Sequence, residues 1–262
     1  MDLGLQGKKV LVLASSKGLG RATATQFAAE GADVMLTSRK EEELIKTAAE
    51  IKEQTGRDVS YFVADVSKGE DLEKLIAATA ERFGTIDVLV NNSGGPPAGK
   101  FDDFNDQDWY NAFELTLLSY IRTIRGVLPY MKKQKSGRII NITSSSIKQP
   151  IENLLLSNTL RLGVVGLAKS LALELAKDQI LINTVGPGQI RTDRVVEFDE
   201  AKAKELGTSI DAVQSSKQEQ IAIGRYGEPD EFAKTLLFLG SFANTYVTGQ
   251  TLLVDGGLVK AI

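Results

Sequence analysis

Seven short runs in which apolar and β-branched residues crowd together punctuate the chain: KKVLVLA, ADVMLTS, VSYFVAD, DVLVNN, RIINIT, ILINTV and TLLVDGG. Continuous apolar runs of this length, bounded by turn residues, predict strands buried on both faces. Between them, apolar positions recur at helical spacing over residues 69–83, 106–133 and 154–177. Strand and helix in alternation predict parallel strands joined by right-handed crossovers, with helices covering both faces of the sheet. The expected fold class is α/β: a doubly wound parallel sheet of about seven strands. No Pro/Gly/Ser-rich linker, low-complexity tract or repeat interrupts it, so residues 1–262 read as one domain.

Residues 193–226 break the pattern. They are polar and weakly periodic, and they follow a strand whose C-terminal end faces the ligand crevice of such a sheet. A lid over a substrate pocket is the expected role, against a merely solvated helical insertion.

Charge narrows the partners. With 31 basic and 34 acidic residues and no basic cluster, nucleic acid is not an expected ligand. No apolar run approaches the roughly 18 residues of a membrane span, and the start, MDLGLQGKKV, lacks a signal-peptide core, so the expected location is cytoplasmic. The chain has no cysteine and no histidine. Disulfides, thiolate nucleophiles, Ser-His-Asp machinery and most transition-metal sites are thereby excluded, and no metal is expected. Any chemistry must come from Ser, Tyr, Lys, Arg, Asp, Glu or a bound cofactor.

The first cofactor signal is KKVLVLASSKGLGRATATQFAAEGADVMLTSR, a strand, glycine-bearing turn, helix and strand in about thirty residues. This is the opening unit of a Rossmann-type sheet. Gly18 and Gly20 would let a pyrophosphate approach the backbone, and the helix that starts there offers free N–H groups and a positive dipole end. Ser38 and Arg39 end the second strand, where an NAD site carries Asp or Glu for the ribose 2′-hydroxyl. A guanidinium there, with Lys17 in the turn, favours the 2′-phosphate of NADP(H).

Beyond this unit the chain resembles the short-chain dehydrogenase/reductases over essentially its whole length. LASSKGLG is similar to the family's Thr-Gly-x-x-x-Gly-x-Gly, ADVS to its adenine-contacting segment, and NNSGG to its Asn-Asn-Ala-Gly. INITSSS resembles the strand that carries the catalytic serine, VGPGQIRTD the turn that holds the nicotinamide carboxamide, and GRYGEPDEFAKTLLFLGS…YVTGQTLLVDGG the C-terminal signature. Among subfamilies the 3-oxoacyl-carrier-protein reductase type looks nearest. The resemblance implies cofactor contacts at Ser15, Lys17, Gly18, Leu19, Gly20, Ser38, Arg39, Asp65, Val66, Asn91, Ser93, Gly94, Arg161 (to the nicotinamide ribose), Pro187, Gly188, Ile190 and Thr192, and a catalytic serine at Ser144. It also implies a homo-oligomer, a dimer or tetramer.

One helix departs from the family. In LLLSNTLRLGVVGLAKSLALEL, Ser157 falls where the family has its proton-transferring tyrosine and Arg161 where it has the lysine that binds the nicotinamide ribose. Spacing of four keeps both on one helix face, but an aliphatic hydroxyl is a far weaker acid than a phenol and arginine stays charged at any working pH. The family's relay Asn is matched here to Glu114, a carboxyl group able to donate a proton if desolvated, or equally a salt-bridged one paired with Arg161. Tyr110 and Tyr120, on the neighbouring helix pattern, read as packing residues rather than donors.

Three readings follow, with Ser144, Ser157, Arg161 and Glu114 as candidate catalytic residues. The first is an NADP(H)-dependent reductase of a ketone such as a 3-oxoacyl thioester, with a non-standard proton donor. The second is a catalytically silent NADP(H)-binding subunit or sensor. The third, a dehalogenase-like lyase, shares the arginine, but halohydrin dehalogenases keep the tyrosine and lack the nucleotide-binding glycines.

Overall fold

The structure, a computed structural model, describes residues 2–261. All seven apolar runs form strands: β1 (Lys9–Val12), β2 (Asp33–Ser38), β3 (Val59–Val63), β4 (Val88–Asn91), β5 (Gly137–Ile142), β6 (Ile180–Pro187) and β7 (Thr251–Val254). They make one parallel sheet in the order β3-β2-β1-β4-β5-β6-β7.

Strand residues alternate between two apolar layers, which is why the runs are continuous rather than alternating. Val10 and Val12 face a layer built with Phe27, Leu44, Ile51, Phe232 and Leu236; these come from helices α1 (Gly18–Ala29), α2 (Glu41–Thr55) and α9 (Pro229–Gly240). Leu11 faces the other layer, with Leu72, Leu75, Val127, Met131 and Ala172. Those residues come from α3 (Gly69–Phe83), α5 (Ser119–Lys133) and α6 (Leu155–Leu175). Between α3 and α5 in the chain lies α4 (Asp106–Phe113).

The expected helix over 106–133 is interrupted. Between α4 and α5, residues Glu114–Leu118 form a π-helical turn, so the backbone stays continuous but the side-chain phase shifts. The polar stretch 193–226 contains two further helices, α7 (Asp193–Leu206) and α8 (Ile210–Glu219). No helix among the described residues is long and apolar enough to cross a membrane.

The direction of winding reverses at β1, which pairs with β2 on one side and β4 on the other. The crevice beyond the C-terminal ends of these strands is where open α/β sheets bind ligands. The loops after β1, β4, β5 and β6 all open there.

Candidate active site

The turn after β1 is shaped by what it cannot accommodate. Gly18 has φ +58°, and a Cβ on Gly20 would lie 2.3 Å from the Ala14 carbonyl oxygen. Glycine at these two positions lets the chain double back and start α1 with its N–H groups pointing into the crevice. Ala14 itself sits at φ +45°, a left-handed conformation costly for a residue with a Cβ. Asn92 holds this turn from the far side, its amide donating to the Ala14 carbonyl at 3.1 Å. Sequence reasoning missed Asn92, although it stands inside the quoted NNSGG motif.

Several expected cofactor residues serve the frame rather than presenting a free side chain. Ser15 is fully buried: its hydroxyl donates to the Val12 carbonyl and accepts from the Thr37 N–H, and its own N–H donates to the Thr37 carbonyl, so it braces the turn against β2. Asn91 is likewise sealed in, donating to Asn141 and accepting from Thr123 at 2.6 Å. Val66 and Ile190 are buried apolar side chains. Ser93 differs: its hydroxyl is buried and lacks a protein partner among the described residues. A Cβ on Gly188 would lie 2.6 Å from Asp255 Cα, so glycine lets the β6 turn press against the loop after β7, next to Pro187.

At the end of β2, Arg39 is exposed and makes no ion pair among the described residues; nor does Lys17, at the N-cap of α1. Ser38 caps the turn by accepting from the Lys40 N–H. Asp65 accepts from both the N–H and the hydroxyl of Ser67. Burial by itself would push its carboxyl up, but these hydrogen bonds and the charge of Arg39 outweigh it and hold the group below the usual carboxylate range.

The altered pair sits on α6, which packs against the turn Ser145–Ile147 that follows β5. Ser144, at the end of β5, accepts from the Ser146 N–H at 3.1 Å, which leaves its own proton free to donate. Ser157 and Arg161 are 7% and 5% exposed. Arg161 donates from Nη1 to the Ile142 carbonyl at 3.3 Å, and forms no ion pair among the described residues. The start of α6 is held by Asn158, whose side chain pairs with both the N–H and the carbonyl of Ile151. This contact has no sequence signature beyond a polar residue in an apolar helix.

Glu114 does not join them. Its half-exposed carboxylate pairs with Arg122 at 3.3 Å, and Arg122 reaches on to the Ser67 carbonyl near the start of α3. The expected alternative pairing with Arg161 is thus replaced, and Glu114 is not the desolvated carboxyl group that a proton donor here requires. The π-turn is the reason: it begins at Glu114 and carries Thr116, not Glu114, to a fully buried position. Tyr120 is buried, as expected of a packing residue, and donates to the Ile142 carbonyl; Tyr110 is 65% exposed and packs little.

One group was not anticipated. Arg194, at the start of α7, lays its guanidinium against Gly94 and Gly95: a Cβ on Gly95 would lie 2.7 Å from Nη2. Loss of hydration, and then the like charge of Arg161, hold Arg194 below the ordinary guanidinium value.

A family model described as "Enoyl-(Acyl carrier protein) reductase" (adh_short_C2) matches residues 13–259. The chain belongs to the short-chain dehydrogenase/reductase family. It is 34% identical over 257 residues to the 3-oxoacyl-[acyl-carrier-protein] reductase FabG of Thermotoga maritima, covering 97% of this chain and 99% of that one. Among solved structures, the L-sorbose reductase of Gluconobacter frateurii, complexed with NADPH and L-sorbose, superposes with a TM-score of 0.96 at 32% identity and full coverage of both chains. YwfH, an NADPH-dependent reductase involved in bacilysin biosynthesis, superposes at 0.94 with 27% identity, covering 98% of this chain and all of that one.

Proposed function

We propose that this short-chain dehydrogenase/reductase is an NADP(H)-dependent reductase of a ketone such as a 3-oxoacyl thioester, working without a phenolic proton donor. The observation that carries this reading is the buried Arg161 guanidinium, anchored to the Ile142 carbonyl and lacking a carboxylate partner among the described residues. The NADPH-bound relative and the FabG relative support the cofactor and the substrate class.

The residues present fit the dinucleotide. Gly18 and Gly20 form a cradle that side chains would fill, Ser93 carries an orphaned buried hydroxyl, and Arg39 and Lys17 stand unpaired, among the described residues, where a 2′-phosphate would lie. When bound, the nicotinamide supplies the hydride. The chain's task is then to orient the carbonyl and stabilise the charge that develops on its oxygen. Ser144 donates its free hydroxyl proton as a hydrogen bond to that oxygen. Arg161 keeps its proton and stabilises the oxyanion as a fixed charge. The proton that completes the alcohol comes from water, relayed through the hydroxyls of Ser144 and Ser157. General acid help is worth typically about 10²–10⁴-fold, so its absence slows the reaction without forbidding it.

A second reading, a silent NADP(H)-binding subunit or sensor, draws support from Tyr120, whose hydroxyl is spent on the Ile142 carbonyl. The experiment that separates them is NADPH consumption against 3-oxoacyl thioesters and simple ketones, with NADPH affinity measured on the same preparation and Ser157→Tyr/Arg161→Lys run beside it. Turnover by the unaltered protein, lost in Ser144→Ala while NADPH binding remains, supports the reductase. Tight binding without turnover, with activity gained in the double variant, supports the silent subunit.

A further inference from the structure

Glu43, in the first turn of α2, turns its carboxylate back onto the glycine turn. One oxygen accepts from the Ser16 hydroxyl at 3.0 Å, and the other accepts from Lys40 Nζ, also at 3.0 Å. One helical turn further on, the Thr47 hydroxyl donates to the Ser16 carbonyl at 2.7 Å, so α2 holds Ser16 by both its side chain and its backbone. Ser16 is buried, Glu43 partly exposed and Lys40 largely exposed.

Neither the helix nor the turn depends on this carboxylate. Acidic side chains near a helix N-terminus complement its dipole, and Glu41 and Glu42 already do so from exposed positions. The turn is braced independently by Thr47 and by the bonds of Ser15 to Val12 and Thr37. A surface ion pair such as Lys40–Glu43 contributes little to folding.

What the contact does is place an anion. Ser16 precedes Lys17 and Lys40 follows Arg39, the two cations assigned above to the 2′-phosphate. The Glu43 carboxylate thus links the two loops on which that phosphate is to be held, and it takes a hydroxyl and an ammonium that suit a phosphate oxygen equally well. The hydrogen bonds from Lys40 and Ser16, with the charges of Lys40 and Lys17 behind them, hold its carboxyl below the ordinary value despite some burial.

We propose that Glu43 is a resident anion at the cofactor's 2′-phosphate position, holding Ser16 and Lys40 in the free protein and releasing both to the phosphate when NADP(H) binds. A phosphomonoester carries about −1.5 to −2 charges at neutral pH, against one on the carboxylate, so it is the stronger acceptor for the same donors. The carboxylate, with water on one side, has room to swing away. The exchange keeps Ser16 and Lys40 ordered before binding. It also limits NADPH affinity, because the displaced carboxylate stays a like charge beside the phosphate. NADH, without that phosphate, displaces nothing. The proposal rests on the NADP(H) reading given above.

The test is Glu43→Gln, which keeps the length of the side chain and an acceptor oxygen but loses the charge. Fluorescence titration should show NADPH bound about 5- to 20-fold more tightly than by the wild type, the scale of removing one like-charge contact in water. NADH affinity should stay within about twofold, and the melting temperature within about 2 °C. In the wild type, the Glu43 side-chain carboxyl carbon, followed by NMR, should shift on adding NADP⁺ and stay nearly in place on adding NAD⁺. Equal changes for NADPH and NADH, no change, or weaker NADPH binding in Glu43→Gln overturns the proposal and leaves Glu43 as a brace of the turn. A loss confined to NADH overturns it too, by making Glu43 the acceptor for a ribose hydroxyl. A carboxyl signal unmoved by NADP⁺, or moved alike by both nucleotides, overturns the exchange. A wild type that binds neither nucleotide takes down the NADP(H) reading and the proposal together, whereas tight NADPH binding that Glu43→Gln leaves unchanged removes the proposal alone.

Discussion

Tyr120 and Arg161 donate to the same acceptor, the carbonyl of Ile142 at the end of β5, at 2.6 and 3.3 Å. A phenol from α5 and a guanidinium from α6 are thereby tied to the strand that leads into Ser144. The shared acceptor sets the height of Arg161 in the crevice, and it removes Tyr120 from the list of proton donors.

Tyr120→Phe is therefore expected to cost about 1 kcal/mol of stability, the net worth of one buried hydrogen bond whose acceptor keeps a second donor. Turnover should change by less than about threefold. Urea denaturation and steady-state rates check both; a collapse of the rate with stability intact would make Tyr120 the proton source after all.

The glycine turn carries a strain that can be relieved. Ala14 at φ +45° pays about 1–2 kcal/mol for a left-handed backbone, and glycine there would pay about 0.5–1 kcal/mol in unfolded-chain entropy. Ala14→Gly should raise stability by up to about 1 kcal/mol, seen as a rise of a few degrees in the melting temperature. Gly20→Ala should do the opposite and abolish NADPH binding, because its methyl group meets the Ala14 carbonyl with no room to move. Wild-type NADPH affinity in Gly20→Ala would refute the cradle.

The sheet was legible in the sequence because each strand is buried on both faces, so the apolar runs stand out without any tertiary knowledge; α3 even ends where its periodicity ends. The cofactor turn was legible because glycine is the one residue type whose backbone role shows in a string of letters. Glu114 was not. Its place in the site came from matching it to the family's relay Asn, and a match of letters does not reveal the π-turn that begins at Glu114. Arg194, Asn92 and Asn158 were missed for another reason: each gains its meaning from a partner on a distant segment, and a lone polar residue in a loop or helix gives no hint of it.

The 193–226 segment is held down by a buried triad of the same non-local kind. Asp199 of α7 is fully buried, accepting from Lys217 of α8 and from the Tyr226 hydroxyl at 3.1 Å. Asp199→Asn should loosen α7 and α8 by about 1–3 kcal/mol, less than a fully buried pair because Lys217 keeps some water. Burial, followed by the charge of Asp199, pushes the Tyr226 phenol well above its ordinary value. A group whose folded value is raised contributes stability that is complete below the unfolded value and lost as pH rises toward the folded one. Above about pH 10 the wild type should thus lose stability faster than Tyr226→Phe. Hydrogen exchange in α7 and α8, followed from pH 8 upward in both proteins, reads this directly; parallel curves would remove Tyr226 from the triad's electrostatics.

Cofactor choice rests on Arg39. Its guanidinium is exposed, makes no ion pair among the described residues, and stands close enough to Asp65 to hold that carboxyl down. An exposed cation with only a distant counter-charge contributes little to folding, so Arg39→Leu should leave the melting temperature within about 1 °C. A 2′-phosphate would lose a charge-assisted contact, worth about 1.5–3 kcal/mol, or roughly 10- to 100-fold in NADPH affinity. NADH has no such phosphate and should bind Arg39→Leu as it binds the wild type. Fluorescence titration of both nucleotides against both proteins decides it: a fall in NADPH affinity alone assigns Arg39 to the phosphate, whereas equal losses for the two nucleotides would place Arg39 against the adenine ring instead.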